Sequence, residues 1–254
     1  MGGEGAGAVV YSAASVQRPI MTTISANLQA VLARIARAEQ AFGRPPGAVR
    51  LLAVSKTWPA ACVRDAARAG QRAFGENYVQ EGVDKIDDVA DPALEWHFIG
   101  PLQSNKSRPV AERFDWVHSV DRARIAERLS QQRPPDRAPL SVCLQVNVSG
   151  EASKSGVAPA ELSALAARVA TLPRLCLRGL MAIPAPTEDF EAQRAAFRQL
   201  RMLHAQLCAE GHALDTLSMG MSHDLEAAIA EGATLVRVGT AIFGARPTVA
   251  DAVR

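Results

Sequence analysis

Leu51-Leu52-Ala53-Val54-Ser55-Lys56-Thr57-Trp58-Pro59 is the stretch on which the reading of this chain turns. A short apolar run bounded by turn signals is the pattern of a strand buried on both faces. Pro59 then stands where the first turn of a helix begins. Between strand and helix lies Lys56. A charged lysine closing a buried strand is costly, because loss of solvent disfavours the ammonium. The same desolvation lowers its pKa and makes the neutral amine a nucleophile, the usual setting for a Schiff base with an aldehyde. The stretch alone leaves a second reading open, a lysine that snorkels from the strand end into water.

The strand-then-helix unit recurs along the chain. Ahead of it, residues 22–42 carry helical spacing in Ile24, Leu28, Val31, Leu32 and Ile35, with Ser25 or Asn27 as candidate caps. Gly43-Arg44-Pro45-Pro46-Gly47 stops that helix. After it, residues 72–75, 94–99, 116–120, 140–148, 175–183, 214–217 and 234–238 read as strands. Helical segments follow at 58–69, 78–89, 105–113, the Asp121-capped run to Gln131, 159–172, 190–210 and 222–231. Strands alternating with helices argue for parallel βαβ units. Eight such units in a chain of 254 residues predict an α/β fold: a single (β/α)8 barrel of TIM type over residues 21–254, with an extra N-terminal helix. A doubly wound sheet would bring a Gly-rich dinucleotide turn after an early strand, and Ser55-Lys56-Thr57-Trp58 is no such turn.

Composition sets bounds on function. Hydrophobic residues make up 48% and charged residues 21%, an ordinary globular balance. A formal net charge of +2, with arginines scattered among acids, gives no ground for a nucleic-acid partner. Cys62, Cys143, Cys176 and Cys208 form no CxxC or Cys/His cluster, so each reads as a small buried or half-buried hydrophobe in a reducing cytoplasm. No apolar run approaches the length of a membrane span. Residues 1–20 are Gly/Ala/Ser-rich, lack the pattern of a signal peptide, and read as a flexible extension, with Met21 a candidate start.

In a (β/α)8 barrel the chemistry sits at the C-terminal ends of the strands, and a phosphate commonly binds after strands seven and eight. Strand seven here runs into Ser218-Met219-Gly220-Met221-Ser222-His223, and strand eight into Arg237-Val238-Gly239-Thr240. Backbone N–H groups and hydroxyls at helix starts suit an anion there. The bland alternative is that Ser218, Ser222 and Thr240 only cap helices. Arg237, on the last strand, cannot shed its proton and needs a partner inside a barrel, either a neighbouring carboxylate or a ligand ring nitrogen. An imine-forming lysine, a phosphate cup and a permanently charged donor between them match pyridoxal 5′-phosphate (PLP).

From about residue 22 onward a series of short motifs runs in order: Leu52-Ala53-Val54-Ser55-Lys56-Thr57, Phe74-Gly75-Glu76-Asn77-Tyr78, Trp96-His97-Phe98-Ile99-Gly100 and Leu102-Gln103-Ser104-Asn105-Lys106. Val146-Asn147-Val148, Ser153-Lys154-Ser155-Gly156, Arg178-Gly179-Leu180-Met181, Ser218 to Ser222 and Val236 to Gly244 continue it. In these motifs the chain resembles the pyridoxal phosphate homeostasis protein family. The resemblance implies a PLP barrel similar to the N-terminal domain of alanine racemase, with Lys56 holding PLP as an internal aldimine and Arg237 facing the pyridine nitrogen. It further implies phosphate binding by Ser218, Ser222, Gly239 and Thr240, with Asn77 close to the cofactor; from the residues themselves no metal is expected.

The family points to holding PLP and handing it to apo-enzymes, in support of vitamin B6 and amino-acid homeostasis, without turnover. The alternative is a weak single-domain amino-acid racemase. Alanine racemases add a second domain that supplies an acid–base tyrosine; here the tyrosines are Tyr11 and Tyr78, and Tyr78 is expected to anchor a helix. A cytoplasmic monomer is expected. Lys154 reads equally as a second amine for PLP or as a solvated loop charge, and Lys106 as solvated. His97 and His118 read as packed or hydrogen-bonded interior groups and His223 as a variable polar position.

Overall fold

The computed structural model describes residues 18–151 and 155–245. Its strands are β1 (Arg50–Val54), β2 (Ala73–Glu76), β3 (Glu95–Phe98), β4 (Trp116–Val120), β5 (Leu140–Gln145), β6 (Leu175–Met181), β7 (Thr216–Ser218) and β8 (Leu235–Val238). All pair in parallel and in chain order, and β8 closes on β1 through Leu51↔Val236 and Ala53↔Val238. The helices are α1 (Arg18–Ala41), α2 (Ala60–Arg68), α3 (Val79–Val89), α4 (Ser107–Arg113), α5 (Ala123–Gln132), α6 (Leu162–Ala170), α7 (Phe190–Ala209), α8 (Leu225–Ala230) and α9 (Thr240–Phe243). The closed barrel with one leading helix is the expected fold.

Side chains alternate across each strand, so one set faces the helices and the other the barrel axis. The outward set forms the main core: Phe74, Phe98, Val117, Leu144, Leu180 and Val236 are fully buried against the helix ring. The inward set is mixed. Two small apolar groups, Leu52–Ala73–Leu235 and Trp116–Cys143–Met181, share the interior with the polar His97, His118, Ser218 and Arg237.

Helix α1 packs across α2, α8 and α9 through Ile24, Leu28, Val31 and Ile35. Asn27 does not cap it: the helix begins at Arg18, and Asn27 Nδ2 donates to the Ile242 carbonyl of α9 at 3.0 Å. Arg34 binds Glu226 through two bonds and donates to the Ser222 carbonyl at 2.8 Å, so α1 braces the loop after β7. Other local expectations also give way. Arg122, not Asp121, occupies the cap position of α5; Asp121 accepts from Arg122 instead. β5 ends at Gln145, and Val146 only bridges to Val157. Cys62 and Cys143 are buried, but Cys176 and Cys208 are exposed, because Cys176 lies on the outer, thinly covered start of β6 and Cys208 near the end of α7. Of the extension expected over residues 1–20, residues 18–20 belong to α1; residues 1–17 lie outside the described residues, as does Lys154, the candidate second amine. No described helix is long and apolar enough to cross a membrane.

Candidate cofactor site

Lys56 follows directly on β1 and is half-buried at the C-terminal mouth of the barrel. The peptide that carries it is held from several sides. Ser55 N–H donates to the Gly75 carbonyl of β2 at 3.0 Å, and Ser55 Oγ donates to Glu76 Oε1 at 2.6 Å. Lys85, on α3, donates to the Ser55 carbonyl at 2.6 Å, to Glu76 at 2.8 Å and to Glu81 at 2.6 Å. Glu81 also accepts from the Thr57 N–H. Thr57 has φ +67°, a left-handed conformation that a β-branched residue rarely adopts. Such a conformation persists only where its surroundings enforce it. Burial raises the pKa of the Glu76 carboxyl, while Lys85 and Ser55 pull it down.

A cavity of about 230 Å³ opens beside Lys56. Asn77, Ser222, Arg237, Gly239 and Thr240 all reach it, so six of the seven expected site residues meet at one place. Neither α8 nor α9 has a side-chain cap, so the hydroxyls of Ser222 and Thr240 are not spent in the way the bland reading required. Ser222 is not in α8; it stands in the turn before it, where Asp224 takes the cap position. Asn77 ends its strand connection against Gly100, where a Cβ would lie 2.1 Å from the Asn77 carbonyl oxygen. Only a residue without a side chain permits that approach.

Ser218 is the exception. It is the last residue of β7, with its side chain turned into the barrel and fully buried. Its hydroxyl is engaged with His118 Nδ1 at 2.8 Å and Arg237 Nη1 at 2.8 Å, below the cavity wall that Ser222 and Thr240 form. Strand parity is the reason: a residue on the pleat faces the axis, whereas a loop residue can face a ligand.

Arg237, also nearly fully buried, has no carboxylate in contact among the described residues. It donates from Nη1 to the Ser218 carbonyl at 2.6 Å and from Nη2 to the Ala182 carbonyl at 2.9 Å. Burial lowers its pKa to about 10, against the field of Asp224, so it stays charged at neutral pH. Sequence reasoning missed two sets of residues. Glu76, Glu81 and Lys85 fix the Lys56 peptide, and their spacing shows no pattern that announces it. His223, passed over as a variable position, lines the cavity. Lys106 is exposed and Tyr78 is 57% exposed; both border a neighbouring groove that shares Asn77. Among the described residues no group of three or more His, Cys, Asp and Glu could hold a metal.

Three comparisons bear on this geometry. Residues 26–247 match the family described as alanine racemase, N-terminal domain. The pyridoxal phosphate homeostasis protein of Pseudomonas aeruginosa is 65% identical over 226 residues, 89% of this chain and 97% of the relative. The solved structure of PipY from Synechococcus elongatus with PLP bound is 41% identical, with a TM-score of 0.76 over 87% of this chain and all of PipY. Alanine racemase from Corynebacterium glutamicum is 17% identical with a TM-score of 0.68, and 62% of that chain is covered, a likeness of fold alone.

Proposed function

Because the chain belongs to the pyridoxal phosphate homeostasis protein family, we propose that it carries PLP on Lys56 and thereby maintains free PLP and amino-acid balance in the cytoplasm. The observation that carries this reading is the meeting of Lys56, Arg237, Ser222 and Thr240 around one cavity at the barrel mouth. Bound PLP supplies an aldehyde that condenses with an amine and a ring that can take up electron density.

The residues present fit that group. Lys56 brings the amine, and Ser222, Gly239 and Thr240 bring donors for a phosphate where barrels commonly bind one. Asn77 brings a buried Oδ1 with no partner among the described residues, the kind of atom a bound ligand satisfies. Arg237 is the donor for the ring nitrogen. Because it keeps its charge, protonation of that nitrogen would place two cations together. An unprotonated ring is a poor electron sink, which favours holding and handing on over turnover. No described residue lining the cavity is a tyrosine, and Tyr78 faces the adjacent groove. The recipients are PLP-requiring apo-enzymes, and the working unit is a monomer.

The test is intact-mass spectrometry after incubation with PLP and borohydride reduction, beside Lys56→Ala. The expected result is one adduct of PLP mass that maps to Lys56 and is lost in the variant. No adduct in the parent protein overturns the reading. An adduct that survives Lys56→Ala and maps to Lys154 overturns the assignment of Lys56.

A further inference from the structure

Four buried or half-buried side chains run in series from Arg237 to the opposite rim of the barrel. Arg237 Nη1 donates to Ser218 Oγ at 2.8 Å, and Ser218 Oγ lies 2.8 Å from His118 Nδ1. His118 Nε2 lies 2.8 Å from His97 Nδ1, and His97 Nε2 lies 2.7 Å from Glu95 Oε1. The chain crosses β8, β7, β4 and β3 in turn, and ends at the first residue of β3, whose side chain is 34% exposed. Arg50, the first residue of β1, donates to the same Glu95 oxygen at 2.5 Å.

The two ends fix every proton between them. A guanidinium can only donate and a carboxylate can only accept. Burial lowers the pKa of His97, despite the opposing pull of Glu95, and lowers that of His118 well below the ordinary imidazole value. Each neutral ring then has one donor and one acceptor. His97 must donate from Nε2 to Glu95, so its Nδ1 accepts. His118 must therefore donate from Nε2, so its Nδ1 accepts from the Ser218 hydroxyl. That hydroxyl oxygen accepts from Arg237. Every other pair of neutral tautomers sets two protons or two lone pairs against each other at one of these contacts. The tautomers are thus assigned by the hydrogen-bond network.

We propose that Ser218, His118, His97 and Glu95 form a one-way hydrogen-bond chain that positions the Arg237 guanidinium for the ring of bound PLP and links it to a distant carboxylate. The proposal rests on the reading of Arg237 given above. The design has a physical sense. A carboxylate in direct contact would hold Arg237 but cancel much of its field at the cavity. A relay of neutral groups, each polarised toward Glu95, holds the cation while leaving its charge directed at the ligand. Ser218, His118, His97 and Glu95 are positioning residues, since none of them lines the cavity.

The first test needs no cofactor. Long-range 15N–1H spectra of histidine-labelled apo-protein at pH 7 report charge and tautomer for each of the five histidines. Both His97 and His118 are expected neutral with the proton on Nε2; a cationic ring or an Nδ1–H tautomer at either position overturns the proposal. The second test loads PLP and fixes it with borohydride. The His118 and His97 nitrogen signals are expected to shift in the parent protein and to stay put in Ser218→Ala. PLP release from unreduced Ser218→Ala is expected to be about tenfold faster, the scale on which outer-shell partners act on a bound group. Ser218→Thr, which keeps the hydroxyl, is expected to restore both the response and the release rate. If Ser218→Ala does not fold, Glu95→Gln at the exposed end is read by the same spectra and is expected to change the His97 signals. PLP that attaches to Lys56 without moving either imidazole overturns this proposal alone. PLP that fails to attach overturns the carrier reading, while the apo spectra still decide the chain.

Discussion

Lys85 Nζ sits 2.8 Å from Glu76 Oε1 with both side chains almost wholly out of solvent, and the same ammonium holds the Ser55 carbonyl next to Lys56. The pair therefore links α3 to the peptide that carries Lys56. Removing one partner of a buried pair leaves an uncompensated charge and typically costs about 3–5 kcal/mol, whereas an apolar replacement of both is often neutral. Lys85→Met is expected to lose stability on that scale in urea unfolding, and Glu76→Leu/Lys85→Met to recover most of it. A single variant within about 1 kcal/mol of the parent would show that the pair is not what anchors this peptide.

The phosphate end makes a separate prediction. A hydrogen bond to a charged group contributes roughly 1.5–3 kcal/mol. Ser222→Ala and Thr240→Val are each expected to weaken PLP retention by about tenfold or more, while borohydride still fixes PLP to Lys56. Inorganic phosphate at millimolar concentration is expected to raise the melting temperature of the apo-protein, and the double variant to lose that gain. A phosphate effect that survives the double variant would move the anion elsewhere.

Gly100 tests how tightly Asn77 is seated. A Cβ there would meet the Asn77 carbonyl oxygen at 2.1 Å and its Cα at 2.7 Å, both backbone atoms. Overpacking of this kind costs about 1–3 kcal/mol when the backbone must shift. Gly100→Ala is expected to lower stability within that range and to speed PLP release by displacing Asn77 from the cavity. Unchanged release with lowered stability would separate Asn77 from the ligand.

The outline was legible in the residues because burial imposes period. Val142 and Leu144 alternate in β5, and turn signals bracket each strand, so the count of eight followed from one pattern repeated. That Ser222, Gly239 and Thr240 meet at one cavity was legible because hydroxyls and glycines follow two adjacent strands. The placing of Ser218 was not. Whether it ends a strand or starts a loop decides if it faces the axis or a ligand, and a boundary one residue away reverses the answer. His97 and His118 were readable as interior groups, but that they are partners depends on the register of β3 on β4, with His97 opposite Trp116. Glu76 and Lys85 meet across a loop and a turn of helix, a contact that only tertiary packing sets.

The imidazole pair also fixes the sign of the pH dependence. His97 and His118 are buried neutral, with folded pKa values below the unfolded value of about 6.5. Below that pH the unfolded chain takes up protons that the folded chain refuses, so their contribution is complete above about pH 6.5 and is lost as pH falls. His204, also lowered by burial, acts in the same direction. Glu95 acts further down: despite burial, its bonds to His97 and Arg50 hold it at about 2, so its share is lost only between its ordinary value of 4.5 and about 2. The urea midpoint is expected to fall from pH 7 to pH 5, as the unfolding free energy drops by up to about 1.4 kcal/mol per group per pH unit. His118→Gln is expected to remove its part of that slope. A midpoint that rises on acidification would mean that the rings are charged in the folded protein or that Glu76 and Asp224, whose carboxyl pKa values burial raises, outweigh them.

His223 decides what residual chemistry the cavity can support. Reversal of configuration at an amino-acid Cα needs one group to remove a proton and another to return it on the opposite face. Lys56 is one such group; among the described cavity-lining residues, His223 carries an imidazole that can serve as the second. Solvent deuterium incorporation into alanine by the PLP-loaded protein is therefore expected to be slow, on the scale of a side reaction, and to fall at least tenfold further in His223→Ala. PLP retention is expected to be unchanged, because Ser222, Thr240 and Arg237 remain. Incorporation at an ordinary enzyme rate of about 1 s⁻¹ or more would make the chain a racemase rather than a carrier. Slow incorporation that His223→Ala leaves untouched would assign both proton transfers to Lys56 and water.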